Sequence, residues 1–164
     1  KHFEGIAKSL GSVLSQKKLG AHDHRLGVPE GVAKILAVKA DLPTRIYKAY
    51  HSKNKKALQD ILKKDLPFLK KEFRNLRDLH RKIWLETFYA HGWETLENRY
   101  GGMLLRLETT ELRLKEYCAG RVSKLDELEE KRLKIFDLAK GHLPMRGHFV
   151  GYTGTPSPLN WSVG

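Results

Sequence analysis

LPFLKKEFRNLRDLHRKIWLETFYAHGWETLENRYGGMLLRLETTELRLKEYC, residues 66–118, is the stretch that decides the fold. In its first half Leu69, Phe73, Leu76, His80 and Ile83 follow one another at steps of four and three. That spacing brings one stripe of an α-helix against a neighbour, and it predicts a long helix from Leu66 to about Ala90. In the second half Leu96, Tyr100, Met103, Leu107, Leu114 and Tyr117 continue the helical spacing through Cys118, with Gly120 placed as a terminating glycine. HGWETLENRYGG (91–102) interrupts the two runs with three glycines, a tryptophan and an arginine–tyrosine pair. Gly92 permits a backbone turn that other residues resist, and Trp93 and Tyr100 can staple two helices together. Arg99 offers a planar fork suited to a carboxylate, while Gly101-Gly102 leave room for another backbone. The segment is therefore either a junction between two long antiparallel helices or a contact surface for a partner or a second copy.

Working outward, FEGIAKSLGSVLSQKKL (3–19) spaces Phe3, Ile6, Leu10, Val13 and Leu14 as an amphipathic helix. GAHDHRLG (20–27) reads as a polar loop, and Pro29 opens a helix through Ala40 with Val32, Ile35 and Leu36 inward. Asp41-Leu42-Pro43 and Asp65-Leu66-Pro67 both match a helix start, an aspartate able to cap free N–H groups followed by a first-turn proline. Between them Lys55–Lys64 forms a short helix around Leu58, Ile61 and Leu62. Past Gly120, Ser123-Lys124-Leu125-Asp126 opens a further helix in capping-box style, with Leu125, Leu128, Leu133 and Phe136 inward and Gly141 closing it. GHLPMRGHFVGYTGTPSPLNWSVG (141–164) has glycine or proline every few residues yet carries Phe149, Tyr152, Leu159 and Trp161. It is expected to be an extended strap lying back on the bundle or on a neighbouring domain. The fold class is all-α: a helical bundle with long antiparallel helices over residues 1–140 and an extended C-terminal segment over 141–164.

Composition narrows the function. The 164 residues are 40% hydrophobic and 30% charged, a balance that supports one domain with a real core. No apolar run approaches the length needed to cross a bilayer. The chain opens on Lys1 without a signal-peptide core, and a piece of a longer, cytoplasmic protein is the expectation. Net charge is +12, but residues 1–90 carry 20 Lys/Arg against 9 Asp/Glu, whereas residues 91–164 carry 11 against 10. The excess is spread along helix faces, so solvated surface is the plain reading and a nucleic-acid or other polyanion site the alternative. A protein-binding scaffold bundle is a third.

Catalytic machinery is missing. His22-Asp23-His24 is the densest set of metal-ligand types, and with no third ligand at a suitable spacing it reads as a solvated loop. His80 lies on the apolar seam and reads as a hydrogen-bonded core histidine. Asp126-Glu127 and Glu129-Glu130 are neighbours on one helix, where adjacent side chains diverge by about 100°, so they cannot converge on one substrate. Their place in a first turn favours the helix dipole. Cys118 falls near the seam and reads as an inert thiol. Catalytic residues, metal ligands and cofactors are all expected to be none.

HRKIWLETFYAHGWETLENRYGGMLLRLETTELRLKEYCAGRVSKLDELEEKRL (80–133) resembles the C-terminal helical domain of family 20 glycoside hydrolases, the β-N-acetylhexosaminidase branch. The likeness lies in His80-Arg81 with Trp84, Gly92-Trp93-Glu94, Leu96, Arg99-Tyr100-Gly101-Gly102, Arg106-Leu107 and Leu125–Leu133. It implies an enzyme with an α/β domain, a TIM-type barrel and this helical domain. In that family the 2-acetamido oxygen of the sugar attacks the anomeric carbon, with an Asp-Glu pair carried by the barrel. The resemblance thus implies hydrolysis of terminal N-acetylhexosamine by an upstream barrel, with this chain packing on it and forming a homodimer. Trp93, Glu97, Arg99 and Tyr100 are the candidate glycan-binding or interface residues.

Overall fold

The structure, a computed structural model, describes residues 2–16 and 20–130. Seven α-helices run through these residues: α1 (His2–Leu14), α2 (Gly27–Lys39), α3 (Leu42–His51), α4 (Lys55–Asp60), α5 (Leu66–Thr87), α6 (Trp93–Cys118) and α7 (Asp126–Glu129). No strand occurs among the described residues, and the all-α expectation holds. The strap at 141–164, Leu133, Phe136 and the closing Gly141 lie outside them.

α5 and α6 form the antiparallel hairpin that the seam predicts. Lys70 Nζ meets Glu111 Oε2 at 2.5 Å, Arg74 meets Glu108 at 3.6 Å, and His80 Nδ1 meets Tyr100 Oη at 3.0 Å. Positions rising along α5 therefore pair with positions falling along α6. Leu66, Leu69, Phe73 and Leu76 from α5 and Leu107 and Leu114 from α6 join Ile46, Tyr50, Leu58 and Ile61 in one buried core. α2 packs across α5 on the other side, and α1 packs on α2. The α2–α5 approach is close because Gly27 and Gly31 present no side chain: a methyl at Gly27 would stand 2.7 Å from Leu79 Cδ2.

Several local expectations are corrected. α1 ends at Leu14, and Ile6, Val13 and Val32 are exposed, because α1 rests mainly on α2, with a smaller contact to the short turn at Asp23–Leu26, and only the side carrying Ala7 is covered. α2 begins at Gly27, two residues before Pro29. Neither Asp41 nor Asp65 caps a helix with its side chain. Both accept instead from Arg45, whose Nε lies 3.0 Å from Asp41 Oδ1 and whose Nη1 lies 2.7 Å from Asp65 Oδ2. A guanidinium donating to two carboxylates outbids the exposed amides of a helix end. Nor does Asp65 start a helix. Ile61–Asp65 is a turn of π-helix that joins α4 to α5 without a break, with Leu66 N–H donating to Ile61 O. Pro67 has no N–H, and its ring would press on the carbonyl four residues back in an ordinary helix; the wider π turn relieves that clash.

The capping box at Ser123 does not form. Leu125 occupies the N-cap in extended conformation, buried, and its N–H donates to Tyr50 Oη at 3.1 Å. Tyr50 donates in turn to Glu129 Oε1 at 2.5 Å, so one hydroxyl from α3 ties down both ends of α7. The helix expected to run on from Asp126 stops at Glu130, where the backbone is extended.

Candidate functional site

α5 unwinds at Phe88, and α6 starts at Trp93 after a junction of five residues. Gly92 makes the reversal: its φ of +92° is in the left-handed region, open to glycine at little cost. It has no side chain to cap α6, and Glu94 does so in its place by accepting the Gly92 N–H at 2.9 Å. Trp84 braces the incoming strand of the turn by donating its indole N–H to Tyr89 O at 3.0 Å.

Inside the junction four rings converge. His80 stands edge-on to Trp93 at 5.5 Å and to Tyr100 at 6.1 Å, and Trp93 lies 6.1 Å from Trp84 and 6.4 Å from Tyr100. His80 is hydrogen-bonded, as the sequence implied, but it is half-buried at the edge of the core rather than within it. Burial keeps its imidazole below the ordinary histidine pKa and pushes the Tyr100 phenol up, so at neutral pH both groups are uncharged and share one hydrogen bond whose direction follows the imidazole tautomer. Trp93 is only 5% exposed, and its indole N–H has no partner among the described residues.

Of the four residues singled out from the sequence, Trp93 and Tyr100 come together in this cluster. Glu97 is exposed on α6, and Arg99 is half-buried. Gly101 and Gly102 do not admit another part of the described chain: a methyl at either would meet nothing within 4 Å. They lie in the middle of α6, on the side that continues through Leu105 and Leu112, which are 65% and 53% exposed. Sequence reasoning passed over the rim of the junction, where Leu85 and Phe88 are exposed and Tyr89 is 91% exposed. The signal was available, since Phe88-Tyr89 sit at the end of the seam rather than on it.

The other candidates have structural partners. His24 reaches Glu86 at 3.1 Å and Arg25 reaches Thr87 at 3.3 Å, so the 20–26 segment is tied to α5. No cluster of His, Cys, Asp and Glu fit for a metal occurs among the described residues. Asp126 pairs with Lys124, Glu127 with Arg113, and Glu129 with Tyr50, three divergent directions. Cys118 is half-buried, and burial raises its thiol pKa against a smaller lowering by Lys55. Among the described residues no helix is long and apolar enough to cross a membrane.

The chain is thus a helical hairpin locked by an aromatic junction, with the GWE group at its bend and the RYGG group about two turns into α6. Residues 1–144 match the family model described as the glycoside hydrolase 20C C-terminal domain, and the chain belongs to that family. It is a C-terminal domain of a family 20 glycoside hydrolase, which implies a catalytic domain as its partner in the parent enzyme. A search of curated proteins finds no match to the chain.

Proposed function

We propose that this chain braces a β-N-acetylhexosaminidase, seating its α5–α6 junction on the catalytic barrel and pairing with a second copy across the open face of α6. One observation carries the reading: the face of α6 through Gly101, Gly102, Leu105 and Leu112. Two glycines in mid-helix cost about 2 kcal/mol relative to alanines, and nothing in the described chain uses the space they leave. Small residues let two helix axes approach more closely than the usual 8–10 Å or so, and Leu105 and Leu112, seven residues apart, supply apolar area on the same side. The exposed Leu85, Phe88 and Tyr89 at the junction are suited to the barrel contact, which brings Trp93, Glu97, Arg99 and Tyr100 toward the mouth of the active site. Hydrolysis of terminal N-acetylhexosamine belongs to the barrel's Asp-Glu pair. The lone, half-buried cysteine suits a reducing cytoplasm.

Sedimentation of the full chain at rising concentration tests the pairing. A monomer–dimer equilibrium is expected, abolished by Leu105→Glu with Leu112→Glu. A wild-type chain that stays monomeric near 1 mM, an affinity of only about 4 kcal/mol, refutes it. Turnover of a chromogenic N-acetylglucosaminide by the chain alone refutes the assignment of catalysis to the barrel.

A further inference from the structure

Residues 45–65 concentrate the basic excess: seven Lys/Arg against two Asp/Glu. α3, the turn after it and the α4–π segment border a shallow, open groove of about 980 Å³. One of its two carboxylates, Asp65, is taken by Arg45 at 2.7 Å. Lys48 and Lys64 line the groove and have no ion pair among the described residues. Tyr47 lines it too, 46% exposed, with its ring 4.1 Å from the His51 ring. His51 is fixed in turn by Nε2 on Leu128 O at 3.2 Å. Asn54 accepts the Ala57 N–H through Oδ1, which leaves its amide NH2 available to donate. Lys64 and Asp65 belong to the π turn, a costly irregularity that tends to occur at functional sites.

We propose that this groove binds an anionic saccharide, whose carboxylate or sulfate meets Lys48 and Lys64 and whose ring lies on Tyr47. Merely solvated lysines need neither a groove nor an aromatic plate held beside them. A neutral sugar leaves both ammonium groups unanswered. A nucleic-acid strand needs a basic track, and within the groove itself the cations are few and individually placed. The proposal does not depend on the pairing of α6 or on its seat against a barrel.

The experiment titrates the full chain at low and physiological salt with four probes: 3′-sialyllactose, lactose 3′-sulfate, neutral chitotetraose and a single-stranded oligonucleotide. Binding of the sialylated or the sulfated probe is expected, the two arms separating a carboxylate from a sulfate, with chitotetraose inert. Lys48→Glu and Lys64→Glu should each weaken it roughly tenfold or more, in the range of a charge-assisted hydrogen bond. Tyr47→Ala should weaken it about two- to tenfold, as aromatic contacts do. Lys8→Glu on α1 makes the same charge change elsewhere and should leave binding intact. All four side chains are exposed, so the variants keep the fold, which far-ultraviolet circular dichroism checks. Failure of both anionic saccharides at low salt overturns the proposal. So does oligonucleotide binding of equal strength that Tyr47→Ala leaves unchanged.

Discussion

Replacing Gly101 and Gly102 together by alanine should stabilise the separate chain and weaken its self-association. Both glycines lie inside α6, far from its ends at Trp93 and Cys118. Neither has a positive φ, and a methyl at either meets nothing within 4 Å among the described residues. The substitution therefore reduces the freedom of the unfolded chain without a clash, worth about 0.5–1 kcal/mol per site, or about 1–2 kcal/mol for the pair. For a domain of this size that raises the Tm by roughly 5 °C. Urea unfolding at a concentration below dimerisation isolates this effect from mass action, and sedimentation at high concentration reads the opposite one, since two methyls hold a facing helix away. Gly27→Ala supplies the contrast. Its methyl would lie 2.7 Å from Leu79 Cδ2, the end of a half-buried side chain that must turn aside, and this repacking offsets part of the same entropic gain, so Gly27→Ala should stabilise less than either α6 substitution. A double alanine variant that loses stability refutes the reasoning, because it means the chain itself already fills that face of α6. One that gains stability and associates as well as the wild type removes the glycine face from the interface.

Other expectations are independent of any partner. Tyr50→Phe deletes the hydroxyl that accepts the buried Leu125 N–H and donates to Glu129; a loss of about 2–4 kcal/mol is expected, with faster amide exchange at Leu125. Glu111 accepts from Lys115 and Lys70, in that order of effect, and these hold its carboxyl below the ordinary value of 4.5. A depressed carboxylate contributes stability above its unfolded pKa that is lost as pH falls, so Glu111→Gln should flatten the decline in Tm below about pH 4.5. His80 is lowered from 6.5 by burial, so proton uptake favours the unfolded chain. Its contribution is complete above pH 6.5 and lost on acidification, and His80→Gln should remove the part of the decline between that pH and the depressed pKa, followed by Tm across pH 5–7.

The hairpin was legible because its seam is long and regular: Leu69, Phe73, Leu76 and Ile83 are all buried where the spacing put them. Trp93 and Tyr100 as staples, and His80 as their hydrogen-bonded neighbour, were legible for the same reason. Signals that depend on tertiary competition were not. Asp41 and Asp65 have the chemistry of caps, yet Arg45, invisible to a local reading, offers a stronger donor to each. Ser123 lost its helix start to Tyr50, seventy-five residues from Leu125 in sequence. Ile6 and Val13 carry helical periodicity, but periodicity states which side is apolar and not whether anything covers it.

The π turn at Ile61–Asp65 means that the rod from Lys55 to Thr87 carries one surplus residue. Its buried positions step by three, four or a full heptad of seven, all of which keep one helix face, except where Ile61 is followed by Leu66, five along. Deleting one residue there would restore the usual step and a plain α-helical pitch, yet Pro67 would then press on a carbonyl with no room to yield. Surplus residue and proline are thus a compensating pair: deletion alone should cost stability, whereas deletion joined to Pro67→Ala should be tolerated. A lineage that has lost one of the two is expected to have lost the other, and with it the displaced wall that carries Lys64 and Asp65.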